Sequence, residues 1–378
     1  MPRLPRPPRS PARPRRFGQP AHAGAAAPPG RVAVIGAGMA GITAARTLAR
    51  AGWQVSVFDK SRGAGGRMAT RRTAFGGFDH GAQFFTVRGE RFAQALRATA
   101  APVQPWQARW VRVLDADGQH VVETPPAETR WIATPGMNAL VKHWAQGLDD
   151  AGGHRCWWST EVVALQPDAV CPRRWQLRVH GDHDTPTVHG GFDAVLLALP
   201  HPQALALLRA SGLAAAWQER LQDEVRVAPC WALMLAWPQA PQDADWGPPW
   251  DAARSDHHRI AWVARETSKP QRGPVARWIV QASPIWSAEH LEDDPQRITA
   301  KLLRAFAELT GIAATPEHAV AHRWRYAQTQ QALGQPCLWD APSGLGLCGD
   351  WCLGHRVEDA FLSGLELALT VIETGRLP

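Results

Sequence analysis

The stretch RVAVIGAGMAG, residues 31–41, joins a short β-branched run to three glycines in the spacing GxGxxG. The run predicts a buried strand that ends in a tight turn. Apolar residues recur at helical spacing from Ile42 to Ala49, and Gly52 follows at the position of a helix C-cap. Val55-Ser56-Val57-Phe58 predicts a second strand. The order of strand, glycine turn, helix and strand indicates a β-α-β unit.

Each glycine of this turn has a physical function. Gly36 makes the tight turn, Gly38 lets the backbone approach a pyrophosphate, and Gly41 lets the helix pack closely on the strand. Free N–H groups and the positive end of the helix dipole then bind the phosphates. Asp59, eighteen residues beyond Gly41, can accept hydrogen bonds from the adenosine ribose hydroxyls. The segment therefore predicts a dinucleotide-binding site.

FAD and NAD share an ADP half, so a further segment is needed to distinguish them. RGAGGRM, residues 62–68, is a glycine loop that ends in a cation. Arg67 of this loop can lie over the pyrophosphate and the ribityl chain of FAD. NAD dehydrogenases have no use for this element, so the loop favours FAD.

The C-terminal part of the chain supports the same cofactor. GLGLCGD, residues 344–350, predicts a buried strand, and a helix is predicted from Val357 to Glu373. Asp350 can hold a ribitol hydroxyl, or it caps its own helix. The helix N-terminus can face the flavin pyrimidine, where negative charge gathers on reduction.

The predicted fold is α/β, with a discontinuous Rossmann-like FAD-binding domain and a mainly β substrate domain. Residues 154–181 predict a strand beside the adenine and a small meander, and Phe192 to Pro200 predict a central parallel strand. We assign residues 31–90, 130–200 and 320–378 to the FAD-binding domain. Residues 91–129 and 201–319 form the predicted substrate domain, with strands at Trp106–Leu114, Val225–Trp237, Arg259–Arg265 and Val275–Gln281 and a helix at Pro295–Leu309.

The basic charge lies in the N-terminal segment. Residues 1–30 hold six arginines and no acidic residue, which leaves only +1 of the formal net charge of +7 for the rest of the chain. We therefore expect no nucleic-acid partner. The Pro- and Ala-rich composition predicts a disordered tail. Arg15-Arg16-Phe17 lacks the apolar stretch of a twin-arginine signal, which favours a solvated extension or a misplaced start.

Several other functions are not expected. The six cysteines show no CxxC pairs, and no apolar run approaches the ~18 residues of a membrane span. We expect reduced thiols in a cytoplasmic protein without a membrane partner. The sequence shows no Ser/His/Asp set, HExxH motif or paired zinc-ligand spacing, so no metal site is predicted.

With these segments in view, the chain resembles the renalase-like branch of the flavin amine oxidase superfamily over most of residues 31–375. The resemblance rests on the motifs VAVIGAGMAG, FDKSRGAGGRMATRR, DHGAQFFTVR, TPGMNALVKHWA, RIAWVARETSKP, WIVQASPIWSAEHLE, HRWRYA and LCGDWCLGHRVEDAFLSG. It implies noncovalent FAD and a two-domain fold of the p-hydroxybenzoate hydroxylase and monoamine oxidase type. It also implies oxidation of isomeric dihydronicotinamide dinucleotides by hydride transfer to the flavin, with oxygen as acceptor and hydrogen peroxide as product.

The fingerprint and the resemblance together imply a set of FAD contacts: Gly36, Gly38, Met39, Ala40, Gly41, Asp59, Lys60, Gly66, Arg67, Met68, Gln83, Phe84, Val162, Gly349, Asp350 and Val357. No catalytic residue is assigned. The candidates for the substrate pocket are Gln83, Phe84, Trp286, Arg323, Trp324 and Tyr326. We interpret His80 as a polar residue beside a turn rather than as a catalytic base.

Two alternatives to the dihydronicotinamide activity stay open. The first is a flavin amine oxidase or desaturase, whose chemistry in this superfamily commonly uses a lysine near the flavin N5. Among the four lysines, Lys269 is the candidate for that position. The second is a flavin-binding sensor without turnover. Arg323 or Arg325 could bind a substrate phosphate, or both lie at solvent-facing strand ends.

One segment departs from the pattern of the resemblance. Members often have the sequence GRVEGA where this chain has HRVEDA, residues 355–360. An imidazole and an additional carboxylate, Asp359, are thus expected near the helix start that should face the flavin.

Overall fold

The computed structural model describes residues 29–121, 128–148, 153–181, 187–240 and 246–374. The predicted N-terminal tail lies outside these residues, apart from Pro29 and Gly30.

Strands and helices are numbered in chain order. The strands are β1 (Arg31–Ile35), β2 (Gln54–Phe58), β3 (Arg71–Thr73), β4 (Gly76–Phe78), β5 (Val103–Pro105), β6 (Val111–Leu114), β7 (His120–Val121), β8 (Trp131–Ala133), β9 (Arg155–Trp157), β10 (Glu161–Pro167), β11 (Trp175–His180), β12 (Thr187–Phe192), β13 (Ala194–Leu197), β14 (Arg226–Trp237), β15 (Ala252–Ser255), β16 (Ile260–Arg265), β17 (Ala276–Ala282), β18 (His318–Gln331), β19 (Leu338–Asp340) and β20 (Leu345–Leu347). The helices are α1 (Met39–Arg50), α2 (Glu90–Ala98), α3 (Asn138–Gln146), α4 (His201–Ser211), α5 (Ala215–Glu224), α6 (Pro284–Glu289), α7 (Pro295–Thr310) and α8 (Val357–Thr374).

A six-stranded sheet in the order β19-β20-β13-β1-β2-β9 forms the nucleotide part of the fold. Its strands are parallel apart from the edge pair β19 and β20. The predicted central strand is β13, which pairs with β1 on one side and β20 on the other. Strands from the two ends of the chain therefore lie in one sheet, as the discontinuous arrangement predicted.

Both faces of this sheet are covered. Alternate residues of β1 explain why: Val32 and Val34 pack towards α1, α3 and α8, whereas Ala33 and Ile35 pack towards the small sheet β10-β11-β12 and α4. All four side chains are almost completely buried. Continuous burial of this kind is typical of a parallel strand between two layers.

A seven-stranded sheet in the order β18-β14-β17-β16-β15-β6-β7 forms the second part. Its pairs are antiparallel except for β15 and β6. One face packs on α6 and α7 through Leu233, Leu235 and Phe306. The other face turns towards the nucleotide part, where Met234 meets Phe78 of the β3-β4 hairpin.

The structure differs from the sequence prediction in three places. Residues 201–224, predicted in the mainly β domain, form α4 and α5, and α4 packs against the nucleotide part because Ala204, Leu205 and Leu208 recur at helical spacing. Strand β18 belongs to the seven-stranded sheet over its whole length, across the predicted boundary at residue 320. The predicted strand Trp106–Leu114 is limited to β6, since the backbone N–H of Arg109 donates to Asp251 instead of a neighbouring strand.

The close approach of α1 and α8 generates a stability prediction. A Cβ atom added at Gly364 of α8 would collide with the backbone carbonyl of Ala40 in α1. Gly364→Ala should therefore lower the free energy of unfolding by about 1–3 kcal/mol, because the helices must separate. Urea unfolding followed by circular dichroism measures this change.

Gly147→Ala is the matched control. Gly147 has ordinary helical backbone angles and open space where a Cβ would lie, so its effect should stay within about 0.5 kcal/mol. Equal effects of the two substitutions would contradict the packing argument.

Candidate functional site

The carboxyl edge of the six-stranded sheet carries the fingerprint residues. Because β1, β2 and β20 run in one direction, Gly36, Asp59 and Asp350 follow their strands at the same edge. Gly36 has a φ of +105°, a conformation that favours glycine, and a Cβ there would collide with the carbonyl of Ala198. A Cβ at Gly41 would collide with the carbonyl of Gly36.

Two glycines from different loops face each other beside this edge. A Cβ placed on Gly66 would lie 3.0 Å from the Cα of Gly38. Met39, Ala40 and Gly41 form the first turn of α1 next to this gap, and Gly66 and Met68 form a short 3₁₀ turn. The absence of side chains leaves backbone N–H groups at the start of α1 open to a phosphate, so this cradle fits a dinucleotide.

Asp59 already organises the edge. Its Oδ2 accepts from the backbone N–H of Ala37 at 2.6 Å, and its Oδ1 accepts from the N–H of Ser61 at 2.7 Å. Lys60 points to Glu161 at 3.8 Å, next to the buried Val162. The carboxylate is thus fixed at the position where a ribose would lie, with lone pairs left for its hydroxyls.

Arg67 and Asp350 form an ion pair that joins the two ends of the chain. Arg67 Nη1 donates to Asp350 Oδ2 at 2.9 Å, and the carboxylate side chain is only 6% exposed. Arg67 Nη1 also donates to the carbonyl of Ala327 at 3.3 Å, and Thr329 Oγ1 donates to Asp350 at 3.3 Å. Asp350 begins a 3₁₀ turn, and its side chain does not cap this turn. The structure therefore does not support the alternative in which Asp350 acts as a helix cap.

The loop of residues 79–84 lies across the inner face of the seven-stranded sheet. The backbone carbonyl of Gly81 accepts from Gln281 Nε2 of β17 at 2.6 Å. The ring of Phe84 lies 5.6 Å from that of Trp262 in β16 and 6.3 Å from that of Trp106. Phe84 therefore sits among aromatic side chains at the junction of the two parts.

The same loop meets β18 at His80. Its ring lies 4.7 Å from that of His322 and 5.0 Å from that of Trp324, whose indole N–H donates to the His80 carbonyl at 2.9 Å. Burial, with the charges of the neighbouring His322 and Arg71, lowers the pKa of His80 to about 4. A neutral, buried imidazole agrees with the interpretation of His80 as a structural residue.

A buried ionic cluster lies behind this loop. Lys269 Nζ donates to Glu266 Oε1 at 2.9 Å, to Gln83 Oε1 at 3.2 Å and to Asp79 Oδ2 at 3.4 Å. Arg272 Nη2 donates to Asp79 Oδ2 at 2.6 Å. The side chains of Lys269, Asp79 and Glu266 have no exposed surface.

The pKa values of the two acids in this cluster are shifted in opposite directions. Lys269 and Arg272, together with donors from Met137 and Thr70, lower the pKa of Asp79 against the effect of its burial. Burial raises the pKa of Glu266, against the attraction of the same two cations. The two cations therefore favour the ionised form of Asp79.

The alternation of β18 separates the predicted pocket residues. Trp324 pairs with Cys230 and lies on the inner face, beside the 79–84 loop. Arg323 lies on the opposite face, with its guanidinium over Trp231 and a hydrogen bond to the carbonyl of Leu291 at 2.7 Å. Tyr326 is half-buried two residues beyond Trp324.

Two further candidates lie away from the loop. Trp286 packs in the core between the seven-stranded sheet and α6 and α7, so the structure does not bring it to Phe84. Arg325 pairs with Glu292 at the surface, and Glu292 also binds Arg323 at 3.0 Å. The structure thus favours the surface alternative for both arginines and contradicts a pocket position for Trp286.

The start of α8 explains the departure at residues 355–360. Asp359 Oδ2 accepts from the backbone N–H groups of His355 at 3.1 Å and Arg356 at 2.9 Å. Glu358 reaches the start of α2, where it accepts from the N–H groups of Arg88 at 2.9 Å and Gly89 at 2.6 Å. Both acids therefore bind free N–H groups next to helix N-termini, with the predicted contact Val357 as the first residue of α8.

Sequence reasoning missed several residues of this site. Asp79, Glu266 and Arg272 were not selected, because an ionic cluster between distant loops has no local spacing. Gln281 occupies an inward position of β17, and only the sheet register shows that it is a neighbour of Trp262, one of the tryptophans in the segments predicted to line the pocket. The signal that could have found Asp79 is its place in the DHGAQFFTVR motif.

The comparisons with known proteins agree with this geometry. A family model described as flavin containing amine oxidoreductase matches residues 116–372, which is more than half of the chain. The chain belongs to this family. An NAD(P)-binding Rossmann-like domain model matches residues 34–99, the region of the fingerprint.

Individual relatives are more distant. A stretch of 44 residues is 54% identical to an L-amino acid oxidase from Bothrops pictus, and this match spans 12% of the chain and 9% of the relative. The structure is similar to cyclohexylamine oxidase from Brevibacterium oxydans IH-35A, with a TM-score of 0.68 and 13% identity over 91% of this chain and 99% of that chain. A protein assigned as a protoporphyrinogen oxidase from Exiguobacterium sp. 255-15 matches over the same shares with a TM-score of 0.70 and 12% identity. At 12% and 13% identity, these two structural similarities show the fold alone.

Together these findings confirm the predicted fold class and cofactor. The protein is an FAD-dependent oxidoreductase with a Rossmann-like part and a mainly β part, and the alternative of a sensor without turnover is set aside. In the described ranges, no helix has both the length and the apolar character to cross a membrane, and no group of three or more His, Cys, Asp or Glu side chains could hold a metal ion.

The lowered pKa of His80 generates a pH prediction. Its ordinary pKa is 6.5 and its pKa in the folded protein is about 4, so below about pH 6.5 the unfolded chain takes up a proton that the folded protein does not. The free energy of unfolding should therefore fall as the pH falls from 6.5 towards 4. Between about pH 7 and pH 5, His80→Gln should reduce this loss by about 2 kcal/mol.

Urea unfolding at the two pH values, with FAD at constant concentration, measures the difference. His180→Gln, at the exposed end of β11, is the control and should keep the pH dependence of the parent protein. If His80→Gln keeps it too, the assignment of a neutral buried His80 is wrong.

Proposed function

We propose that the protein oxidises isomeric dihydronicotinamide dinucleotides. The C–H bond at the sp³ carbon of the dihydropyridine ring breaks, and the hydrogen leaves with both electrons, so that the ring becomes an aromatic pyridinium. FAD supplies the hydride-accepting chemistry. Dioxygen then takes up two electrons and two protons and leaves as hydrogen peroxide.

This proposal rests on the hydrogen bonds and the burial of Lys269. All three N–H donors of its ammonium group have an acceptor, and the side chain is fully buried behind Gln83. A lysine that assists amine oxidation has to present a donor or a lone pair towards the flavin and a bound water. Of the other lysines, Lys60 and Lys301 bind surface carboxylates, and Lys142 lies on α3. Hydride transfer from a dihydropyridine requires no such base.

The residues around Phe84 suit a flat, neutral ring. Phe84, Trp106 and Trp262 supply aromatic surfaces, and ring contacts of this kind favour planar ligands. We propose that Arg67 and Asp350 hold the pyrophosphate and ribityl chain, as the sequence implied. Gln83, which also donates to the carbonyl of Asp79, keeps the loop in place next to the flavin.

Amine oxidation is the second candidate. It is favoured by membership of the flavin containing amine oxidoreductase family and by the direct contact of Lys269 with Gln83 of the loop. For this activity Lys269 would have to leave its cluster. That movement would leave the buried carboxylates of Asp79 and Glu266 paired with Arg272 but without the Lys269 ammonium group, which is costly.

Anaerobic reduction of the bound flavin distinguishes the two candidates. The 2- and 6-dihydro isomers of NAD(H) and NADP(H) should bleach the flavin band within one turnover, and cyclohexylamine, putrescine and L-amino acids should leave it unchanged. Admission of oxygen should restore the band with one equivalent of hydrogen peroxide. Bleaching by an amine but by no dihydronicotinamide would establish the second candidate and overturn the first.

Substitution of Lys269 tests the same distinction. Lys269→Met removes a fully paired cation and should destabilise the protein by about 3–5 kcal/mol. The protein that remains folded and FAD-loaded should still be reduced by dihydronicotinamides at a rate per flavin within about tenfold of the parent, since the Lys269 donors are already bound to Asp79, Gln83 and Glu266. Lys301→Met, which removes a partly exposed ion pair, should cost less than about 1 kcal/mol. Complete loss of flavin reduction in the folded Lys269→Met protein would favour a direct role of the ammonium group.

A further inference from the structure

The indole nitrogen of Trp262 is a buried donor without an acceptor. Trp262 is 8% exposed, and its Nε1 has no hydrogen-bond partner within the described part of the chain. Buried polar groups in folded proteins are almost always paired, so an unpaired donor requires an explanation. A ligand that brings its own acceptor is one such explanation.

The other tryptophans near the site already have partners. Trp106 Nε1 donates to Ser268 Oγ at 3.1 Å, and Trp324 Nε1 donates to the His80 carbonyl at 2.9 Å. One further indole nitrogen in the described ranges is both buried and unpaired, that of Trp278. Trp278 lies in the core on the opposite face of the sheet, with its ring 5.6 Å from that of Phe306 in α7.

The sheet register places Trp262 at the candidate active site. Trp262 lies opposite Gln281, which holds the Gly81 carbonyl of the loop, and its ring contacts Phe84. The unpaired donor therefore belongs to the face that meets the loop.

The position of Trp262 across the sheet is compatible with an acceptor on the substrate. Arg67 and Asp350, the expected anchors of the ribityl chain, both bind β18 through Ala327 and Thr329. In the order β18-β14-β17-β16, Trp262 lies three strands away, about 14 Å. The donor thus lies well away from these anchors and beside the Phe84 ring, where a substrate that stacks near this ring can supply the acceptor.

We propose that the Trp262 N–H donates to the carboxamide oxygen of the dihydronicotinamide ring and so positions that ring; this rests on the proposed function. A neutral donor beside aromatic rings matches a neutral amide carbonyl. The nearby cations, Arg130 at 5.4 Å from the Phe84 ring and Lys269 at 5.6 Å from the Trp106 ring, lie against the neighbouring rings. Trp262 is thus a positioning residue that selects a planar ring with a carbonyl substituent.

Trp262→Phe and Trp278→Phe form a matched pair. Each removes an unpaired buried N–H from the same sheet, but the two side chains lie on opposite faces. In anaerobic stopped-flow reduction, Trp262→Phe should raise the half-saturating concentration of the isomeric dihydronicotinamide about five- to tenfold, with a limiting rate close to that of the parent. Trp278→Phe should leave the half-saturating concentration unchanged.

A substrate modified at the acceptor tests the contact without any variant. Replacement of the carboxamide oxygen by sulfur weakens the acceptor, so the thioamide substrate should bind about five- to tenfold less tightly to the parent protein and no less tightly than the amide to Trp262→Phe. Equal effects of the two Phe variants, or an undiminished sulfur effect in Trp262→Phe, would overturn the proposal.

Two other outcomes can be distinguished from a failure of the Trp262 contact alone. If Trp262→Phe changes the affinity for FAD or the flavin spectrum without substrate, the acceptor is a flavin carbonyl and the proposal is wrong. If no dihydronicotinamide reduces the flavin of the parent protein, the proposed function itself fails, and the inference fails with it.

Discussion

The buried carboxylate of Asp79 connects the two parts of the molecule. It binds Lys269 and Arg272 from the segment between β16 and β17, and it accepts from Thr70 Oγ1 at 2.7 Å and the Met137 N–H at 2.9 Å in the nucleotide part. A buried charge is tolerated only when such partners surround it. The loop that leaves Asp79 therefore has one position over the seven-stranded sheet. The candidate active site is built on that loop.

The seven-stranded sheet then sorts side chains by face. Successive residues of a strand point to opposite sides, so Trp324 meets the loop and its neighbour Arg323 binds the segment between α6 and α7. The same rule places Trp262 at the site and Trp278 in the core. A surface rich in tryptophan thus divides into an inner wall suited to a flat ligand and an outer layer that stabilises the sheet.

The acids at the start of α8 have a structural explanation. Asp359 compensates the positive end of α8, and Glu358 compensates that of α2, with both side chains nearly buried. Their charge follows from the packing of two helix N-termini close to each other. The residues just before α8 also contact the turn at Asp350, since the Gly354 N–H donates to the Asp350 carbonyl at 2.7 Å.

The sequence by itself determined the nucleotide part, because glycine spacing, strand burial and helical periodicity are local patterns. Gly36, Asp59 and Asp350 follow parallel strands as predicted, and the fold class and FAD followed from those patterns. Only the tertiary structure showed that residues 201–224 form helices and that the Lys269 side chain is buried. It also showed that Trp286 and Arg323 lie on the face of the sheet away from the site. The physical reason is that which face a strand residue occupies, and which charges meet in a buried cluster, depends on the register and packing of segments far apart in the chain, and no local spacing encodes these contacts.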